Sequence, residues 1–63
     1  MNTTFDLTYG DLTAHAEFHD GWWFCWIKRG DEVLTQGKCA MEHVLRLWAE
    51  NELRQFSQER RAS

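Results

Sequence analysis

The chain contains no proline and only four glycines among 63 residues, so little in it forces a break inside an element. It has two cysteines, enough for one disulfide but not for a disulfide framework or a complete zinc set. Reduced thiols in a bacterial or viral cytoplasm are the expectation that follows. No stretch approaches the roughly 20 apolar residues needed to cross a bilayer. The start "MNTTFDLTYG" lacks the basic residues and apolar run of a secretory leader. Excess positive charge is also missing. The formal net charge is -3, with nine acids and four bases in residues 1–52. Such a body repels phosphate, which argues against a general nucleic-acid binder and suits docking on a basic surface. Simple solubility is the plainer use of the same charge. Residues 53–63 run the other way, with Arg54, Arg60 and Arg61 against Glu59.

What is present is alternation. "TTFDLTY" places Phe5, Leu7 and Tyr9 on one side and Thr4, Asp6 and Thr8 on the other. "LTAHAEFH" repeats the pattern, and the aromatic-rich "WWFCWIKR" follows it. Gly10-Asp11 has the Gly-X form of a type II′ hairpin turn, and Asp20-Gly21 is a stronger hairpin signal. Gly30-Asp31 predicts a third turn, leading to a short strand "EVLTQ" bounded by Gly37. From about Lys38 the period changes. Met41, Val44, Leu45, Trp48, Ala49, Leu53 and Phe56 share one helical stripe, predicting an amphipathic helix to about Gln58. Glu52 interrupts the stripe and Leu47 falls off it. The expected fold is therefore α+β: an antiparallel meander of three to four strands with one C-terminal helix packed on one face. It forms a single domain over residues 1–58, with a frayed tail at 59–63.

Two-residue turns fix the register. Tyr9 opposite Leu12 brings Asp6 to His15, and His19 opposite Trp22 brings Ala16 to Cys25. One face then collects Phe5, Leu7, Tyr9, Leu12, Ala14, Ala16, Phe18, Trp23, Cys25, Ile27 and Leu34, with alanines small enough to admit a close helix. The other face keeps Thr4, Asp6, Thr8, Thr13, His15, Glu17, His19, Trp22, Phe24, Trp26, Lys28, Val33 and Thr35. Trp22, Phe24 and Trp26 thus form an aromatic row on a face the helix does not need, flanked by Asp6, His15 and Glu17. Read functionally, the row is an interface for a protein partner or for a second copy, because tryptophan is enriched among residues that dominate binding. Read structurally, it serves strand propensity and is covered by neighbouring polar stems.

Other chemistry is thinner. An aromatic row suits stacked single-strand bases, but the usual basic surround is absent, so direct nucleic-acid binding is not expected. His15 and His19 stand about 13 Å apart along a strand and cannot share an ion. Cys39 and His43 sit at i and i+4 on the expected helix, yet two ligands make no zinc site. No metal or other cofactor is expected. Asp6 with His15 draws an acid–base pair on an open face without a water-excluding pocket, so catalysis is not expected. A second candidate surface is the acidic end, where Asp11, Asp31 and Glu32 emerge from turns at the same end of the sheet, partly offset by Lys28 and Arg29. Glu42 falls in the first turn of the helix, where it complements the macrodipole.

Taken together, "FDLTYGDLTAHAEFHDGWWFCWIKRG" followed by "CAMEHVLRLWAENELRQF" resembles the anti-CRISPR proteins encoded by phages and mobile elements. The likeness is to the short acidic inhibitors of type I systems, type I-C included. It lies in size, acidity and the sheet-plus-helix outline, not in any motif. The resemblance implies a non-enzymatic inhibitor in the host cytoplasm that binds a Cas subunit of the interference complex. It would block DNA binding by mimicry or block nuclease recruitment, and would act as a monomer or homodimer. An antitoxin or small regulatory dimerisation module is the alternative from a different class, and a single-stranded nucleic-acid binder the second.

Overall fold

The computed structural model describes the backbone of residues 3–62 and the side chains of residues 3–58. Four antiparallel strands lie in chain order across one sheet: β1 (Thr4–Tyr9), β2 (Leu12–His19), β3 (Trp22–Arg29) and β4 (Glu32–Cys39). The helix α1 (Glu42–Ala62) follows. The fold is the α+β meander that the alternation and the change of period predict. The expected tail of residues 59–63 falls on the last turn of α1 and on Ser63, whose side chains lie outside the described residues.

The turns set this arrangement. Asp20 and Gly21 both take positive φ, 52° and 80°, as a type I′ turn requires. Gly10, at φ 63°, is followed by an aspartate outside that region, which fits the II′ pattern. With the turns fixed, the pairings follow: Tyr9 with Leu12, Asp6 with His15, Phe5 with Ala16, then Ala16 with Cys25 and His19 with Trp22. A slip of one residue would turn every apolar side chain to the wrong face.

The core forms where α1 lies on one side of the sheet. Leu12, Ala14, Ala16, Cys25 and Ile27 are fully buried there, and Leu45, Ala49 and Leu53 come down from the helix. Each large aliphatic side chain removed from water contributes about 1.5–3 kcal/mol. Trp23 closes one end, held between Phe5 and Phe18 at ring separations of 5.6 and 5.4 Å. Tyr9 and Phe18 share this face yet stay half exposed near the ends of their strands. Leu47 is exposed, as its position off the stripe predicts.

Two expectations about the fourth strand need correction. Gly37 does not bound it, because β4 runs through to Cys39. The helix accordingly starts at Glu42 rather than near Lys38, with the Met41 carbonyl accepting from the Leu45 N–H at 3.2 Å. Thr35 is also displaced. Lys28 pairs with Val33 but Ile27 pairs with Thr35, so Leu34 is the extra residue of a β-bulge and Thr35 turns to the helix side. Unbulged pairing would bury Gln36 and Lys38 and turn Gly37 and Cys39 outward. With the bulge, Gly37 lies under the Trp48 ring, so close that a Cβ there would come within 2.9 Å of it. Among the described residues, no helix is long and apolar enough to cross a membrane.

Candidate protein-binding face

The face opposite α1 is built from the even-numbered residues of β3 and the odd-numbered residues of β2. Trp22, Phe24 and Trp26 follow one another along β3 and, by strand parity, point away from the core. Trp22 is 44 % exposed, while Phe24 and Trp26 are half-buried by lateral neighbours. Phe24 and Trp26 stack at 6.5 Å between centroids, and His15 stacks with Trp26 at 6.4 Å.

A polar chain runs alongside. The register sets Asp6 opposite His15, and their side chains meet at 2.7 Å through Nδ1. His15 Nε2 meets Glu17 at 2.9 Å, and the other Glu17 oxygen meets His19 Nε2 at 2.8 Å. Two ionised carboxylates can only accept, so both hydrogen bonds form together only when His15 is protonated and donates from both ring nitrogens. Its pKa is raised above the ordinary 6.5, first by the hydrogen bond to Asp6 and then by that to Glu17. Glu17 is held below its ordinary 4.5, chiefly by His19 and then by His15. The chain thus fixes two carboxylates at the edge of the aromatic row.

The bulge adds two residues that simple alternation misses. Gln36 now faces Trp26 and Lys38 faces Phe24, and the Lys38 ammonium stands 5.1 Å from the centre of the Trp22 ring. A shallow open depression of about 430 Å³ lies between them, bordered by Phe24, Trp26, Gln36 and Lys38. The signal for this was present in the sequence. Leu34, Gln36 and Lys38 share one parity but not one character, a conflict that a bulge resolves. The face therefore carries Asp6 and Glu17 against Lys28 and Lys38, with His15 adding positive charge when protonated, and is less acidic than the chain's net charge suggests.

The acidic end is placed as the topology requires, since the β1–β2 and β3–β4 turns emerge together. Arg29 Nε lies 3.3 Å from Asp11 Oδ2 and offsets that charge, while Asp31 in the neighbouring turn and Glu32 at the start of β4 remain exposed. Glu42 is held by Arg46 at 2.9 Å, one helical turn on. Cys39 ends β4 and therefore does not share a helix with His43, which removes their i, i+4 relation. Among the described residues no cluster of three histidine, cysteine or acidic side chains could hold a metal ion. Cys25 is fully buried, and burial pushes its thiol up to about 11. No family model, no curated protein and no solved structure matches this chain.

Proposed function

We propose that this protein works by binding, without catalysis, and that its open sheet face engages a protein surface rich in arginine. The observation that carries the reading is the row of Trp22, Phe24 and Trp26, left on the face opposite α1 with Asp6 and Glu17 beside it. Stacked rings next to fixed carboxylates are what a guanidinium prefers, since it stacks on an aromatic face and pairs with an acid at its edge. Lys38 over Trp22 is an internal instance of the same attraction. Because Phe24 and Trp26 are half-buried and Trp22 is 44 % exposed, Trp22 is the main anchor.

A basic, arginine-bearing surface is also what a nucleic-acid groove presents. In the form given by the resemblance to anti-CRISPR proteins, the partner is a Cas subunit of a type I interference complex, and the bound protein keeps DNA from its site. The near balance of charge on the open face favours aromatic contact over imitation of a phosphate backbone. Two features support binding over catalysis: the depression on this face is shallow and open to solvent, and both nitrogens of His15 are already engaged.

The test is a mobility-shift titration of target DNA on a purified type I complex. The full chain should displace the DNA, with an effect that weakens only modestly between low and high salt. No displacement overturns the inhibitor reading. Retention of a labelled single-stranded oligonucleotide by the protein alone would replace it with nucleic-acid binding.

A further inference from the structure

The sheet has two edges, β1 and β4, and they are not alike. β4 is guarded: a bulge at Leu34 interrupts its ladder and the charged Lys38 stands on it, two devices that discourage edge pairing. β1 is not. Its six residues, "TFDLTY", pair with β2 without irregularity and contain no lysine, proline or glycine. Threonine and aromatic residues give it high strand propensity.

The backbone direction on β1 is fixed. The Thr3 carbonyl accepts from the Phe18 N–H at 2.8 Å, so Thr3 and the alternate residues Phe5, Leu7 and Tyr9 turn their polar groups toward β2. Those of Thr4, Asp6 and Thr8 point to the open edge. A shallow depression follows the same edge on the helix side, floored by Leu7, Tyr9 and Leu53 and rimmed by Glu50 and Arg54. Tyr9 is 48 % exposed there.

We infer that β1 pairs antiparallel with β1 of a second copy of this chain, with the twofold axis passing at Leu7. That register sets Asp6 beside Thr8 of the second copy with outward backbone groups aligned, and Phe5 beside its Tyr9. An axis at Asp6 would instead oppose two carboxylates. On the helix side the axis sets the two depressions on either side of the seam, each rimmed by one acid, Glu50, and one base, Arg54. The result is an eight-stranded sheet with both aromatic rows on one surface and both helices on the other. This inference is independent of what the open face binds.

Sedimentation of the full chain over a wide concentration range tests it. The wild type should reach twice 7.5 kDa. Thr8→Pro removes one outward N–H and spares the β1–β2 ladder, so it should halve the mass while leaving the circular dichroism unchanged. Leu7→Cys in a Cys39→Ser background locates the axis. Facing residues in a non-hydrogen-bonded pair have Cα atoms about 4.5 Å apart, within disulfide reach, so this variant should cross-link as a dimer under mild oxidation. A wild type of 7.5 kDa at every concentration overturns the inference. So does a dimer that fails to cross-link at Leu7→Cys, or one that dissolves with Trp22→Thr and Trp26→Thr but not with Thr8→Pro.

Discussion

Replacing Gly37 with alanine tests how the helix is seated on the sheet. The added Cβ would stand 2.9 Å from Cη2 and Cζ2 of Trp48 and 3.2 Å from Cε2. Carbon atoms rest at about 3.5–4.0 Å, so the ring must withdraw by about 0.6 Å. Trp48 can give only in part: its half-buried ring packs against the core, although a shallow depression of about 170 Å³ lies beside it among Cys39, Val44 and Leu45. Overpacking of this kind destabilises by about 1–3 kcal/mol. Against that, alanine reduces the freedom of the unfolded chain, a gain of about 0.4–1 kcal/mol. At the middle of both ranges a net loss of about 1.3 kcal/mol remains, lowering Tm by roughly 5–10 °C in a domain of this size. Thermal unfolding followed by far-ultraviolet circular dichroism reads this directly, and the same substitution in a Trp48→Leu background should lose most of its penalty. A Gly37→Ala protein as stable as the wild type refutes the reasoning, as does an equal penalty with Trp48 gone.

Three further outcomes follow from the same geometry. The raised pKa of His15 favours the folded state below its ordinary 6.5, and that contribution is lost as pH rises through the folded value. The lowered pKa of Glu17 acts above its ordinary 4.5 and is lost as pH falls. His15→Gln should therefore widen its stability deficit between about pH 4.5 and 6.5 and narrow it on either side; a deficit flat across denaturation curves from pH 4 to 8 contradicts the charged chain. Cys25, buried and with its thiol pushed up to about 11, should resist a thiol reagent at pH 8 that modifies Cys39, and react only on unfolding. Two rapidly titrating thiols in the folded protein would contradict that burial. Arg29→Ala should strengthen the negative field at Asp11, Asp31 and Glu32 and cost less than about 1 kcal/mol in a urea titration, as expected for a partly exposed pair.

Most of the sheet was legible because two-residue turns leave no freedom in register. Once Gly10-Asp11 and Asp20-Gly21 are read as turns, the meeting of Asp6 with His15 and of Ala16 with Cys25 is geometry. The split of "WWFCWI" into Trp23, Cys25 and Ile27 for the core and Trp22, Phe24 and Trp26 for the open face follows from the same count. The fourth strand was harder. Gly37 reads as a terminator in isolation, and only the Trp48 ring eleven residues later explains a glycine inside a strand. The bulge at Leu34 obeys the demand that Gln36 and Lys38 stay wet, a tertiary condition that local alternation does not state. Because that bulge moves Lys38 next to Trp22, the charge of the open face was misjudged along with the strand.

The account's central claim is that Trp22 and Trp26 serve a partner and not the fold. The most direct measurement is DNA retention by a purified type I complex titrated with the Trp22→Thr, Trp26→Thr double variant, in which both substituents keep strand propensity. The account predicts that the variant folds and melts close to the wild type yet leaves the DNA bound at concentrations where the wild type displaces it. A variant that displaces DNA as well as the wild type, or that fails to fold, would contradict it.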